Sequence, residues 1–394
     1  MPGTSVKAVT TPPPGSTSSL RVANQRRVIK VLQNAQTGQL VTQADIARAT
    51  RLAPATVSSI VRELHAAGFV ETTAGAGRRG TSVRIARGAG LVVGIDFGHE
   101  HVRVAVGELA GRILAETSRQ ISPTHTCEEG LEIATDLRDK LLSNLEAGPD
   151  SVLAIGLGLP APIGADGLVV SSSILPGWVG VKADEVAAER LGKPVIIDND
   201  ANLGAIAEHR RGAGMGHRDM VYVKVSSGVG AGLIIDGRLF RGGGTAGEIG
   251  HLTLDESGPV CRCGNRGCLE VYTSVVTIKE LLAVQHPNAT FAEIVAAARV
   301  AHSASRRVIE DAGRQLGWGM AMVANLLNPS CLVIGGDMAQ AGDMLLDAIS
   351  VGLRRHALGS LGAAVELRTA VLGDRASVLG ALLLALDSVE PALP

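Results

Sequence analysis

At 394 residues the chain is longer than one ordinary hydrophobic core serves, which excludes a small single domain. Hydrophobic residues make up 46% of it, yet no run of about 20 lacks a charge or turn former and the N-terminus has no apolar leader core, so the expectation is a cytoplasmic protein without a membrane span. The net charge of −1 conceals an uneven split: residues 1–88 hold twelve Lys/Arg against three Asp/Glu, leaving 25 against 35 in the other 306, and a basic end of this kind suits a polyanion.

Residues 1–19 are Pro, Ser, Thr and Gly without apolar periodicity and read as a disordered tail. From Arg21 the pattern turns helical, with Val22, Ile29, Val31 and Leu32 at helix spacing until Thr37-Gly38. Two short amphipathic helices follow, TQADIARAT and LAPATVSSIVRELHAAG, in a helix-turn-helix layout; then FVETT and SVRIA form β-type runs joined by AGAGRRG, a wing. The second helix of such a pair enters the major groove, its N-terminal residues facing base edges. Here it runs from Pro54 to about Ala66, with Val57, Ile60, Val61 and Leu64 packing on Ile46 and Leu52. That leaves Ala55, Thr56, Ser58, Ser59 and Arg62 for DNA, while Arg78 and Arg79 of the hairpin reach phosphate or the minor groove. Arg51 stands in the turn where Gly is common, and Ala53 where a Ser or Asp cap is expected, a loss of about 1 kcal/mol.

Beyond residue 88 the runs LVVGIDF, VLAIGLGL, PVIID, MVYVKV, AGLIID and CLVIGG alternate with Ala-rich helical segments, the pattern of an α/β sheet buried on both faces. Three of the five cysteines lie between Cys261 and Cys268, which reads as a metal site and not as a disulfide framework.

Four motifs occur in one order: VVGIDFGHEHVRVAV; IIDNDAN; VSSGVGAGLIIDGRLFRGGGTAGEIGH; and CRCGNRGCLE followed by LLNPSCLVIGGD. In this order they resemble the ROK family of repressors and sugar kinases, on its repressor branch. The resemblance implies an α/β, actin/hexokinase-like two-lobed ROK domain preceded by an all-α winged helix-turn-helix domain at 20–88. Its N-terminal lobe would span 89–215, completed by a C-terminal helix at 376–390, and its C-terminal lobe 216–375. Asn199, Asp200, Glu248, His251 and Glu270 stand where the family binds its sugar, and carboxylates and amides suit vicinal hydroxyls because each pairs with two. In a kinase the counterpart of Asp200 is the general base; taken alone, Asp200 reads equally as the cap of a helix beginning at Ala201, and Glu248 as a surface acid. His251, Cys261, Cys263 and Cys268 form the closed donor set of a structural Zn²⁺ site, which would fix the sugar loop.

A kinase of this fold holds nucleotide phosphates between two glycine hairpins. The second, Ser226 to Gly232, is largely intact, but after Asp96-Phe97-Gly98 the first carries His99, Glu100 and His101, a carboxylate and two imidazoles where a triphosphate needs space. Ile174 likewise occupies a position where family sugar sites often place Asn. The reading is a sugar-responsive transcriptional regulator of carbohydrate genes, a repressor without kinase activity. It would bind a palindromic operator as a homodimer or homotetramer and take a sugar or sugar phosphate as effector. The alternative is an ATP-dependent sugar kinase with a DNA-binding arm.

Overall fold

A computed structural model describes residues 17–33, 35, 40–73, 80–86, 88–171, 174–300 and 303–389. The chain divides into two compact units, one of residues 1–91, 107–113 and 389–394 and one of residues 92–106 and 114–388.

In the first unit, helix α1 (Thr17–Gln33) begins inside the stretch read as tail. Thr17, Ser18 and Ser19 are residue types that favour a helix start, and a composition argument treats them only as linker. Residues 1–16, Thr37 and Gly38 lie outside the described residues. Strand β1 (Val41–Thr42) leads into α2 (Gln43–Thr50), whose start is fixed by a capping box: the Thr42 hydroxyl accepts from the Asp45 amide at 3.2 Å, and the Asp45 carboxylate accepts from the Thr42 amide at 3.1 Å. Arg51 ends α2 at φ 56°, the left-handed region that glycine usually fills. Helix α3 (Pro54–Ala66) starts with proline at its first turn, and Ala53 makes no side-chain cap. Val57, Ile60, Val61 and Leu64 are buried with Ile46, Val28, Ile29 and Leu32, whereas Leu52 is half-buried. The strands β2 (Val70–Thr73) and β3 (Ser82–Ile85) complete a sheet of order β1-β3-β2. Its register sets Glu71 opposite Arg84, which pair at 2.6 Å.

The second unit is built on two five-stranded sheets. One contains β4 (Leu91–Phe97), β5 (His101–Glu108), β6 (Ile113–Gln120), β7 (Val152–Leu159) and β8 (Val195–Asn199) in the order β6-β5-β4-β7-β8. The other contains β9 (Met220–Val225), β10 (Val229–Ile235), β11 (Arg238–Phe240), β12 (Cys331–Gly335) and β13 (Glu366–Thr369) in the order β11-β10-β9-β12-β13. Between the sheets lies the helix Asp200–Arg211, buried continuously from Asp200 to Glu208. Ala201, Gly204 and Ala205 allow that approach: a Cβ on Gly232 of β10 would stand 2.6 Å from the Ala201 carbonyl oxygen. The helix Ala376–Ser388 packs beside it on the first sheet, where a Cβ on Gly94 would meet the Val378 carbonyl oxygen at 2.5 Å. On its other face the second sheet buries Val221, Val223, Leu332 and Ile334 against the long helix Ser303–Leu327 and the helix Asp343–His356. Parallel pairing sets Leu159 beside Asn199 and Gly335 beside Lys224, so strand C-termini of each sheet end side by side, the edge where open α/β sheets hold ligands. Among the described residues no helix is long and apolar enough to cross a membrane.

Candidate functional site

Strand β8 delivers three polar residues into this cleft. Asn199, not Asp200, caps the following helix: its amide oxygen accepts from the amides of Ala201 at 2.8 Å and Asn202 at 3.4 Å. Asp200 is thereby released from the capping role that sequence alone allowed. Asp198 is buried and saturated, taking Asn202 Nδ2 at 2.7 Å and Arg241 at 2.6 Å. The Asp200 carboxylate accepts from Lys224 Nζ at 2.7 Å, and the same ammonium donates to Ser377 Oγ at 3.1 Å. Burial alone would depress an ammonium here, but Asp200 and Asp96 outweigh it and hold Lys224 above its usual range. Burial pushes the Asp200 carboxyl upward, against the pull of Lys224.

Glu270 is buried on the opposite wall, accepting from Arg262 Nε at 2.7 Å and the Val229 amide at 2.9 Å. Glu248 is half-buried and, unlike the other two acids, has no cation beside it among the described residues; burial first, then the charges of Asp200 and Glu270, push its carboxyl up to about 7. Three of the five residues expected to grip a sugar, Asp200, Glu248 and Glu270, therefore lie close enough for their charges to act on one another, beside the hairpin between β9 and β10, and Asn199 directly precedes Asp200. Ile174 lies there too, its Cδ1 3.4 Å from where a Cβ on Gly228 would stand.

The two glycine hairpins differ. In the second, the Ser226 hydroxyl accepts from the Asp337 amide at 3.0 Å, tying it to the Gly335-Gly336 loop. In the first, the His101 ring lies on Gly98: a Cβ there would stand 2.5 Å from His101 Nδ1, so the imidazole occupies the space above the glycine backbone. Asp96 is buried beneath it, with Oδ2 3.7 Å from His101 Nε2 and Oδ1 without a hydrogen-bond partner among the described residues. Behind this hairpin Phe97 packs on the fully buried Trp178 at 4.9 Å, and the Trp178 indole donates to His125 Nε2 at 3.2 Å.

His251, Cys261, Cys263 and Cys268 bring their ligand atoms within 4.8 Å of one another. Cys261 Sγ lies 3.7 Å from His251 Nδ1, and Cys263 Sγ lies 3.7 Å from Cys268 Sγ. Thiolates about 2.3 Å from a tetrahedral ion stand about 3.8 Å apart, so the donor set fits a closed four-ligand site. Gly264 and Gly267 take φ 96° and 57°, which fold the loop tightly enough for the sulfurs to converge.

On the first unit Ala55 and Arg62 are exposed and Thr56 and Ser58 half-buried. Ser59 is half-buried, and its hydroxyl donates to Glu63 Oε1 at 3.1 Å one turn along the same helix, where Glu63 also takes Arg21 of α1 at 2.9 Å. Arg78 and Arg79 lie outside the described residues.

Sequence reasoning missed Lys224, Arg241 and Arg262. A lysine inside the otherwise apolar strand MVYVKV was the available signal for the first, since a buried ammonium requires a partner. Arg262, between two cysteines, was hidden by them.

The chain is 29% identical over 374 residues to the xylose repressor of Bacillus subtilis, covering 93% of this chain and 96% of that one. It is 33% identical over 308 residues to a glucokinase of Halalkalibacterium halodurans, covering 73% of this chain and 92% of the relative. A crystal structure of a ROK family transcriptional regulator, a homologue of the E. coli MLC protein, superposes with a TM-score of 0.80 at 26% identity, covering 93% of this chain and 97% of that one. Residues 21–80 match the MarR family, and residues 92–388 match the ROK family. Behind a MarR-type winged helix, then, the chain belongs to the ROK family.

Proposed function

We propose that this protein is a sugar-responsive transcriptional repressor whose ROK domain senses a sugar without phosphorylating it. The observation that carries this reading is His101 lying on Gly98, in a chain that also bears a winged helix: a nucleotide phosphate has no access to that backbone, while the sugar side of the cleft keeps its acceptors. Asn199, Asp200, Glu248, His251 and Glu270 bind the sugar hydroxyls, and relatives named for xylose and glucose support an aldose as effector. Ala55, Thr56, Ser58 and Arg62 of α3 face the bases, and Arg78 and Arg79 the phosphates. Each chain has one such helix, so a palindromic operator is read by a homodimer or homotetramer in the cytoplasm. Sugar modulates DNA affinity only if it binds the two conformations unequally.

His251, Cys261, Cys263 and Cys268 hold a structural zinc ion, which supplies rigidity and no reaction chemistry. Arg262, within that loop, donates to Glu270 and to the Ser227 carbonyl at 3.1 Å, and so carries the loop's geometry to the sugar site. The glucokinase relative and the intact second hairpin favour the rival reading, a kinase. The deciding experiment measures binding to the DNA upstream of the protein's own coding region, with D-xylose, D-glucose and their phosphates added, alongside ADP release. Sugar-dependent release of DNA without ADP formation is expected; robust turnover would overturn the reading.

A further inference from the structure

Lys224 belongs to none of the expected sugar, metal or DNA sets, yet it stands at the centre of the cleft. Its position follows from register: the second-last residue of β9, paired with Gly335 of β12, just before the Ser226–Gly232 hairpin. Its ammonium reaches Asp200 Oδ2 at 2.7 Å and Ser377 Oγ at 3.1 Å, and Ser377 in turn donates to the Asp200 carbonyl at 3.1 Å, so lysine and aspartate are held from both ends of one carboxylate residue. Asp96, buried under the other hairpin with one oxygen unpartnered, is near enough to act on the same ammonium.

Two carboxylates facing a pair of phosphate-type hairpins are the protein share of a magnesium site, in which one or two carboxylates and the substrate phosphates complete the octahedron around the ion. Here a covalently tethered cation, Lys224, is already bonded to one of the two, Asp200, within range of the charge of the other. An ammonium and a divalent ion cannot both occupy the Asp200 carboxylate, because both need its oxygens and their charges repel.

We propose that Lys224 is an internal counter-cation that takes the place of a divalent metal at Asp200, holding Asp200 as a fixed acceptor for an uncharged sugar and excluding metal-nucleotide complexes. The inference deepens the sensor reading and rests on it. It makes Lys224 a positioning residue: it touches Asp200, and through Asp200 the sugar. A buried lysine also removes the carboxylate's need to find a counterion each time the cleft empties.

The test uses the full chain as purified, Lys224→Met and Lys224→Gln, titrated with Mn²⁺ while free ion is followed by electron paramagnetic resonance. Mn²⁺ prefers oxygen donors, so the cysteine loop does not compete for it. Both variants are expected to bind a single Mn²⁺ at least about tenfold more tightly than wild type, since removing one member of a buried pair leaves a charge that seeks a new partner. Adding Asp96→Asn to Lys224→Gln should abolish that uptake. Folding is checked by metal content and circular dichroism; Lys224→Gln keeps the length and a hydrogen-bond donor should Lys224→Met fail to fold. Mn²⁺ uptake by wild type at the same affinity, or no gain in either folded variant, overturns the proposal. ADP release by wild type would sink the sensor reading and leave Mn²⁺ uptake to decide the role of Lys224.

Discussion

Replacing Asp200 by Asn should cost stability before it costs sugar affinity, because the carboxylate already has a partner inside the protein. The Lys224 and Asp200 side chains are 21% and 13% exposed, so their pair lies nearer the buried limit than the surface one. Breaking a buried pair costs about 3–5 kcal/mol, against about 0–1 for an exposed one. The asparagine oxygen still accepts from Lys224, and a hydrogen bond to that neutral acceptor returns about 1 kcal/mol, leaving about 2–4 kcal/mol, of which the lower half, about 2–3 kcal/mol, suits a pair that is partly exposed. In a domain this large each kcal/mol moves the melting temperature by about 2 °C, so Asp200→Asn should lower the transition of the ROK domain by about 4–6 °C. Calorimetry on Asp200→Asn, Lys224→Met and the double variant closes a thermodynamic cycle. The double variant has neither charge and should be more stable than the sum of the single losses allows, by a coupling of about 2 kcal/mol. Single losses under about 0.5 kcal/mol, or strict additivity, would refute the ion pair as an energetic unit.

Metal analysis of protein purified without chelator should find zinc, and Cys263→Ser should lose it together with the sugar response while DNA binding survives; full metal content in that variant would remove Cys263 from the ligand set. Substitutions at Thr56 or Ser58 should change which DNA site is preferred, at about 1–3 kcal/mol per base contact, as read by competition between sequences. Alanine at Arg78 or Arg79 should instead weaken binding to all sequences and reduce the salt slope by about 1 each. Thr42→Ala removes the capping box of α2 and should cost the winged helix about 1 kcal/mol in urea unfolding, with the sugar-binding transition unmoved.

The apolar strands, the helix pair and the cysteine loop were legible because each imposes a local pattern: continuous burial, 3.6-residue periodicity, and close ligand spacing. Strands β6, β11 and β13 were not, since their half-exposed sequences carry no such pattern and their pairing is decided by neighbours distant in the chain. The candidate sugar acids were legible through the order of motifs, but their partners were not. Lys224 lies 24 residues from Asp200 and Arg241 lies 43 from Asp198, and only the packing of the two sheets on one helix brings them together. The obstruction of the first hairpin was legible as residue type, whereas the seating of the His101 ring on Gly98 depends on the turn geometry that joins β4 to β5.

The packing of Trp178 behind that hairpin gives the protein an optical handle. The chain has two tryptophans. Trp178 is fully buried against Phe97 with its indole bonded to His125, and Ile174 of the cleft lies four residues before it in the same segment. Trp318 instead stacks on His356 at 4.8 Å, away from that segment in the chain. In a Trp318→Phe background the remaining emission comes from a fully buried indole in the segment that leads from the proposed sugar site. A sugar that shifts the Ile174–Trp178 segment should then change intensity or wavelength directly, giving a label-free titration of occupancy that requires no DNA.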